Sequence, residues 1–240
     1  MKVVKNFFRK VVIKSLQALG YNFDEISLEG ALERSKNHGI PIQTVIDIGA
    51  SNGVWSERCQ KYFPDAFYFL IEAQKPHAPA LEKLKRRLPN VDYIMAAAGD
   101  GEGEIYFDAS DLLGGIAAHT PFEKNCIIVP MTTVDVQVNL KNLQPPFLIK
   151  LDTHGFEVSI LEGAVETLKQ TELIVIEVYN FKISQDNLRF HEMCAYLEAK
   201  GFRCLDLCDP LRRPRDRALW QLDLFFARST SPIFESDSYY

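Results

Sequence analysis

The sequence predicts an α/β fold: a doubly wound, mostly parallel sheet with a final antiparallel strand. Short apolar runs rich in β-branched residues alternate with helix-forming segments along most of the chain. Near the C-terminus two strand-like runs follow each other directly, as they do when a parallel sheet ends in an antiparallel strand. A length of 240 residues suits one such domain with a full core.

Two helices are predicted before the first strand. Apolar side chains recur at helical spacing over residues 1–16, and the first fourteen residues carry five basic side chains and no acidic one. A second helix is predicted over 28–37, where Gly39-Ile40-Pro41 ends it. We therefore expect residues 1–40 to form a helical extension, 41–228 the main domain and 229–240 a loose tail.

The main domain is predicted to alternate strands with helices. The predicted strands 44–48, 66–71 and 147–151 are each followed directly by a glycine or an acidic residue, and the glycine-rich segment 99–103 predicts a turn. Residues 104–135 predict an insertion of short strands and loops with Gly114-Gly115 at its middle. In chain order, the predicted elements are strand 44–48, helix 54–62, strand 66–71, helix 76–88, strand 91–97, the insertion, strand 147–151, helix 157–169, strand 173–178, helix 187–200, and strands 202–207 and 219–227.

The loop after the first strand predicts a nucleoside site. Asp47 ends an apolar strand, and Gly49 and Gly53 follow with three residues between them. Dinucleotide folds use G-x-G-x-x-G to place a pyrophosphate on a helix N-terminus. Here the glycines are spaced differently, and a carboxylate at the strand end would repel pyrophosphate but can hold an amino group. The loop therefore favours S-adenosylmethionine over NAD, although an ordinary strand-to-helix turn has the same composition.

A carboxylate after the second strand strengthens this prediction. Glu72 follows the apolar run 66–71 and can accept hydrogen bonds from both ribose hydroxyls. Asp100, after the third strand, can accept from the exocyclic amine of adenine, or can bond its own backbone in a turn. The candidate cofactor-binding residues are Asp47, Gly49, Ala50, Asn52, Gly53, Glu72, Ala73, Gly99 and Asp100.

Ionisable residues after the fourth and fifth strands predict a catalytic site. Lys150 and Asp152 alternate along the strand, so they face one way and can pair. Asp152, His154 and Glu177 are the candidate catalytic residues. A base beside an acceptor hydroxyl typically raises the rate about 10²–10⁴-fold, and histidine suits this role by its ordinary pKa. Asp152 can orient the histidine or act alone, and with Glu177 it can hold a divalent ion, although no metal site is expected.

An arginine cluster between the last two strands is a candidate acceptor site. Arg212, Arg213 and Arg215 emerge on the ligand side if strand 202–207 is parallel to the sheet. They can then bind a phosphate or carboxylate of the acceptor, or lie in a solvated hairpin.

With these residues in view, the chain resembles the FkbM family of S-adenosylmethionine-dependent methyltransferases between about Val45 and Phe181. Four blocks carry the resemblance: VIDIGASNGVWS, FYFLIEA, FLIKLDTHGFEVSILEGA and IVIEVYNF. The third block matches the family pattern at Lys150, Asp152, Gly155, Glu157, Leu161, Gly163 and Ala164, whereas His154 replaces the usual acid or amide. The resemblance implies a class I methyltransferase fold, O-methylation of sugars or secondary metabolites, and cofactor roles for Asp47, Gly49, Asn52, Gly53 and Glu72.

The sequence thus predicts a cytoplasmic O-methyltransferase acting on a sugar of a glycan or glycolipid. A polyketide or peptide hydroxyl is an alternative acceptor and needs an apolar insertion around 112–122. A non-catalytic S-adenosylmethionine-binding protein and an NAD oxidoreductase are further alternatives. A net charge of −5 argues against nucleic acid as partner. Residues 1–20 can lie on an anionic membrane surface, or pack on the domain or on a second subunit of a homodimer.

Overall fold

The computed structural model describes residues 26–184 and 187–239. The predicted N-terminal helix, with the membrane or subunit contact expected of residues 1–20, lies outside them. Within the described residues, no helix is both long enough and apolar enough to cross a lipid bilayer.

The described elements follow the predicted order. They are α1 (Leu28–Asn37), β1 (Thr44–Ile48), α2 (Val54–Cys59), β2 (Phe67–Glu72), α3 (Ala78–Arg87), β3 (Val91–Met95), β4 (Ala97–Ala98), β5 (Gly103–Asp108), β6 (Ile116–Ala118), β7 (Cys126–Thr132), α4 (Val134–Leu140), β8 (Phe147–Leu151), α5 (Glu157–Glu162), α6 (Val165–Leu168), β9 (Thr171–Tyr179), α7 (Phe190–Ala199), β10 (Phe202–Arg212) and β11 (Leu219–Arg228). Short 3₁₀ turns lie at Lys75–His77 and Pro232–Phe234.

The main sheet has seven strands in the order β10-β11-β9-β8-β1-β2-β3. Strands β9, β8, β1, β2 and β3 are parallel, and β11 is antiparallel to both β9 and β10. The predicted doubly wound, mostly parallel sheet with an antiparallel strand is therefore confirmed. All five residues of β1 and of β8 are buried, as expected for parallel strands covered on both faces.

Alternate residues of the central strands feed two separate cores. Ile46 and Ile48 of β1 lie in the core beneath α5 and α7, whereas Val45 lies in the core beneath α1, α2 and α3. Helix α1 packs into the second core through Leu28, Ala31 and Leu32. The division at residue 40 stays a prediction, but this helix shares its core with the sheet.

Three predicted elements differ from the structure, and one helix, α4, was not predicted. The strand predicted over 202–207 continues to Arg212 as β10, so Arg212 lies in a strand. The helix predicted over 157–169 is two helices, because Asp135 of α4 caps the start of α6 by accepting from the backbone N–H groups of Glu166 and Thr167 at 2.9 and 2.8 Å. The strand predicted over 91–97 ends at Met95, and Ala97–Ala98 instead pair with β7. The insertion therefore forms a second sheet of its own, in the order β4-β7-β5-β6.

Candidate functional site

A cavity of about 420 Å³ opens at the carboxyl ends of the parallel strands. Its volume falls in the range of small-molecule sites, roughly 300–1,000 Å³. The loops after β1, β2, β8 and β9 line one part of it, and the insertion lines the rest. The structure thus brings the predicted strand ends together around one space, as expected for an open α/β sheet.

Glu72 shapes the cavity wall at the end of β2. Its buried carboxylate accepts from the backbone N–H groups of Ser51 and Gln74, each at 2.7 Å, and so fixes two neighbouring loops. Each carboxylate oxygen retains a second lone pair for a ligand hydroxyl. Ala73 lines the cavity beside it. Glu72 lines the cavity with free lone pairs, and the ribose-binding role stays a prediction.

The loop after β1 lies against the loop after β8. Gly49 lines the cavity with φ +73°, and a Cβ there would lie 2.0 Å from the Asp152 carbonyl oxygen. Of the other predicted loop residues, Ala50 is buried, Asn52 is exposed and caps the following turn, and Gly53 begins α2. Gly49 alone among these lines the cavity, and the other three shape the loop.

We expect Gly49→Ala to destabilise the fold more than Gly39→Ala. Both glycines have φ near +70°, so the backbone strain of an alanine, about 1 kcal/mol, is common to both. A Cβ at Gly39 meets nothing within 4 Å, whereas at Gly49 it overlaps a backbone oxygen. The overlap should add roughly 1–3 kcal/mol, which urea unfolding of the two variants measures. An equal loss of unfolding free energy in the two variants would contradict the close approach of the loops after β1 and β8.

Asp47 and Lys150 form a buried ion pair behind the cavity wall. Lys150 Nζ lies 3.0 Å from Asp47 Oδ1 and donates to the Gly49 carbonyl oxygen at 3.0 Å. Ser56 Oγ donates to the other oxygen of Asp47 at 2.6 Å. Burial lowers the pKa of Lys150, but the charges of Asp47 and Asp152 outweigh it and leave the pKa raised. Asp47 is fully buried and is not among the cavity-lining residues; it holds Lys150, which in turn contacts the cavity-lining Gly49. Its predicted direct contact with a cofactor stays a prediction.

Asp152, His154, Glu177 and Tyr179 form a hydrogen-bonded cluster on the wall made by β8 and β9. His154 Nε2 lies 2.8 Å from the Leu113 carbonyl oxygen, which can only accept. His154 Nδ1 lies 2.8 Å from the Tyr179 hydroxyl, whose own proton is donated to the Glu177 carboxylate. Both ring nitrogens must therefore donate, and an imidazole with two N–H groups is a cation.

The pKa of His154 agrees with this proton count. Burial alone would lower the pKa, but the Glu177 carboxylate, 3.3 Å from Nδ1, and the charge of Asp152 outweigh it and raise the pKa to about 9. The sequence argument for His154 as general base relied on an ordinary pKa near 6.5. That argument does not hold at neutral pH, because a protonated ring cannot accept a proton.

The raised pKa predicts a pH-dependent contribution to stability. The pKa of His154 is about 9 in the folded state and about 6.5 in the unfolded chain. The protonated ring therefore contributes its full stabilisation of the fold below pH 6.5, and this contribution is lost as the pH rises through 9. The difference in unfolding free energy between the native protein and His154→Gln should therefore shrink between pH 6 and pH 10, by at most about 3 kcal/mol. Urea unfolding at each pH measures it. A difference that is constant or grows with pH would mean that the ring is neutral.

Asp152 is the more open of the two carboxylates in the cluster. Its side chain is 37% exposed, lines the cavity, and lies 3.5 Å from Lys150 Nζ and 3.8 Å from His154 Nε2. Glu177 is only 11% exposed and accepts from both the Tyr179 hydroxyl and Gln221 Nε2. Both carboxylates keep lone pairs for a ligand, and Asp152 is the more accessible of the two from the cavity.

The same cluster has a donor set of the kind that divalent cations take. Atoms of Asp152, His154 and Glu177 lie within 4.8 Å of one another. In the observed arrangement the imidazolium supplies the positive charge between the two carboxylates. A bound ion would require His154 to lose one proton and one of its two contacts.

The residues predicted beside adenine lie at the cavity edge. Ala96, Ala97 and Ala98 line the cavity, whereas Gly99 and Asp100 do not. The Gly99 N–H donates to the Thr132 carbonyl oxygen at 2.9 Å. The Asp100 side chain is 44% exposed and lies 3.6 Å from His119.

The arginine loop lies outside the cavity. Because β10 is parallel to β9, the loop does emerge at the carboxyl edge. Arg213 pairs with Asp216 at 2.5 Å and its guanidinium stacks 4.0 Å over the Phe181 ring. Arg212 donates to the Arg217 carbonyl oxygen at 3.2 Å, and Arg215 is exposed. None of the three arginines predicted to bind the acceptor lines the cavity.

Several cavity-lining side chains were not singled out individually from the sequence as binding or catalytic groups. Tyr179 lies two positions after Glu177 on the same strand face, a period-2 signal that the sequence does carry. Gln221 reaches the site only because β11 pairs beside β9, with Gln221 opposite Tyr179. Gln74 was likewise not singled out, whereas the leucines at 112 and 113 lie in the apolar segment 112–122 that the alternative acceptor requires.

The cavity suits S-adenosylmethionine. The hydroxyl oxygen of Ser51 is buried without a hydrogen-bond partner, in a residue that lines the cavity. Carboxylates of Glu72, Asp152 and Glu177 surround the space and complement the cofactor's sulfonium and ammonium charges. The apolar alanines after β3 leave room for a flat ring.

Comparison with known proteins supports the same identity. The model of the methyltransferase FkbM domain matches residues 47–204, well over half of the chain. No curated protein matches the chain in sequence. Among solved structures, the chain is similar to a fibrillarin pre-rRNA processing protein from Methanococcus jannaschii, with 13% identity, 78% of this chain and 67% of that chain covered, and a TM-score of 0.49.

Two further solved structures are similar at the same low level. A 1,6-didemethyltoxoflavin-N1-methyltransferase from Burkholderia thailandensis is 13% identical, with 84% of this chain and 80% of that chain covered, and a TM-score of 0.46. TYW2 from M. jannaschii, in complex with AdoMet, is 14% identical, with 87% and 78% covered, and a TM-score of 0.42. From the domain match and the observed sheet, the chain belongs to the FkbM family of S-adenosylmethionine-dependent methyltransferases and has the class I methyltransferase fold.

Proposed function

We propose that this methyltransferase acts on a hydroxyl of a sugar, in a glycan or glycolipid, with general-base assistance from Asp152. The observation that carries the proposal is the polar wall of the cavity, where carboxylate, amide and phenol groups converge. Asp152, Glu177, Gln221 and Tyr179 are side chains of the kind that bind neighbouring hydroxyl groups through paired hydrogen bonds.

When bound, S-adenosylmethionine supplies an electrophilic methyl group on a sulfonium. Glu72 and Ser51 would hold the cofactor by hydrogen bonds at the buried end of the cavity. Asp152 accepts a hydrogen bond from the acceptor hydroxyl, orients its lone pair and takes its proton as the new bond forms. His154 keeps its proton and holds Glu177 and Asp152 in place by charge.

A second candidate acceptor, a polyketide or peptide hydroxyl, is favoured by one observation. The apolar insertion that it needs is present in part, since Leu112, Leu113 and Ala117 line the cavity. The alternative of a non-catalytic binding protein predicts that Asp152 and His154 turn away from the cavity. Both residues line it, which argues against that alternative.

Methyl transfer from isotope-labelled S-adenosylmethionine tests the proposal. The purified protein is incubated with methyl and alkyl glycosides, with sugar-free alcohols and with amines, and products are identified by mass spectrometry. We expect label in a base-stable methyl ether of a glycoside. Label only in amines, or only in sugar-free alcohols, would contradict the sugar acceptor.

A further inference from the structure

A three-residue segment of the insertion, Asp111–Leu113, is tied to the cavity by its backbone; we call it the strap. Gln74 Nε2 donates to the carbonyl oxygens of Asp111 and Leu112 at 3.0 and 3.1 Å. His77 Nε2 lies 2.8 Å from the Leu112 carbonyl oxygen, and His154 Nε2 lies 2.8 Å from that of Leu113. All three carbonyls of the strap are thus held by side chains, and two of these side chains line the cavity.

The strap holds two leucines in place without burying them. Leu112 is 51% exposed and Leu113 is 71% exposed, yet both line the cavity. Phe107 and Ala117 of β5 and β6 line the cavity on the same apolar side. The two adjacent leucines line the cavity together with Phe107 and Ala117, and exposed apolar side chains that are contiguous at a cavity are typical of a ligand-binding surface.

The cavity mouth therefore has two unlike walls. One wall carries Asp152, Glu177 and Gln221, which suit hydroxyl groups, and the other is the strap, whose leucines also line the cavity. The His154 imidazolium spans between them, because it contacts Tyr179 on the polar wall and the Leu113 carbonyl on the strap. A ligand that enters this mouth meets a polar and an aliphatic surface together.

We propose that the strap determines acceptor specificity, and that the acceptor is amphipathic: its hydroxyl lies against Asp152 while an aliphatic group attached to the sugar lies on Leu112 and Leu113. The inference rests on the proposed sugar O-methylation. An aliphatic chain is the occupant because the exposed leucines are continuous with the cavity and carry no charge. Covering them removes apolar surface from water, which is worth about 25 cal/mol per Å².

Calorimetric titration with methyl, butyl, hexyl and octyl β-D-glucoside tests this inference. The protein is first saturated with S-adenosylhomocysteine, and each glucoside is kept below the concentration at which it forms micelles. We expect the native protein to bind octyl glucoside at least about tenfold more tightly than methyl glucoside. In the Leu113→Asn variant, the affinity for octyl glucoside should exceed that for methyl glucoside by less than about threefold. Leu140→Asn is the matched control, since Leu140 is 72% exposed, lies at the end of α4 and does not line the cavity. The Leu140→Asn variant should keep the native ratio of octyl glucoside to methyl glucoside affinity.

Two results would overturn the inference: binding that does not depend on alkyl length, or an equal loss in Leu113→Asn and Leu140→Asn. Failure of the proposed function gives a different pattern. In that case 1-octanol, which carries no sugar, would bind as tightly as octyl glucoside, while the effect of Leu113→Asn would persist. If glucosides bind and are methylated without any effect of alkyl length, the strap inference fails and sugar methylation stands.

Discussion

Replacing Asp152 by asparagine is expected to slow methyl transfer by about 10²–10⁴-fold, the usual contribution of a positioned general base. Asparagine has nearly the same shape but cannot take the proton of the acceptor hydroxyl. The variant should bind S-adenosylhomocysteine within about threefold of the native protein. Lys150, the ion-pair partner of Asp152, keeps its contacts with Asp47 and Gly49 and should stay in place. Single-turnover rates with labelled cofactor measure the effect, and calorimetry measures the binding.

Asp100→Asn is the matched control for this prediction. Asp100 follows β4 of the second sheet, and its side chain lies 3.6 Å from His119 and does not line the cavity. The methyl-transfer rate of the Asp100→Asn variant should differ from the native rate by less than about threefold. A native rate in Asp152→Asn would remove Asp152 from the proton transfer, and Glu177→Gln would then be the next variant to measure.

Replacing Glu72 by glutamine is expected to weaken S-adenosylhomocysteine binding by roughly 10–100-fold, since a hydrogen bond to a charged group contributes about 1.5–3 kcal/mol. The carboxylate accepts from two backbone N–H groups and has lone pairs left for ribose hydroxyls. Glutamine instead turns an N–H₂ group towards one of those backbone donors. One loop then loses its hydrogen bond, and the ligand loses an acceptor.

Glu57→Gln separates this effect from a general loss of charge. Glu57 lies on α2, pairs with Arg87 at 2.9 Å and has a side chain 45% exposed. The affinity of the Glu57→Gln variant for S-adenosylhomocysteine should stay within about twofold of the native value. If Glu72→Gln binds the cofactor as well as Glu57→Gln does, the ribose assignment is wrong.

The sheet was predictable where burial decides the pattern. Strands β1 and β8 match their predicted bounds because both are short apolar runs buried on two faces. Helix α1 also matches, because Ser27 caps its start by accepting from the Gly30 N–H at 3.1 Å and Gly39 follows its end. The second sheet was not predictable, because the pairing of Ala97–Ala98 with β7 is a long-range contact without a local signal.

The candidate site was predictable only in part. Polar residues after buried parallel strands identify Glu72, Asp152 and Glu177 as cavity-lining groups. The contribution of Gln221 depends on the register of β11 against β9, which no local pattern encodes. The charge of His154 depends on partners from three separate segments, so an ordinary pKa could not be corrected from sequence.

Calorimetric titration of the native protein with S-adenosylmethionine, S-adenosylhomocysteine and NADH tests whether this cavity is a methyl-donor site. We expect both adenosyl compounds to bind at one site per chain with micromolar or tighter affinity, and NADH not to bind. We also expect Glu72→Gln to weaken the binding of both adenosyl compounds. Binding of NADH, or no binding of either adenosyl compound, would contradict the assignment of this cavity as a methyl-donor site.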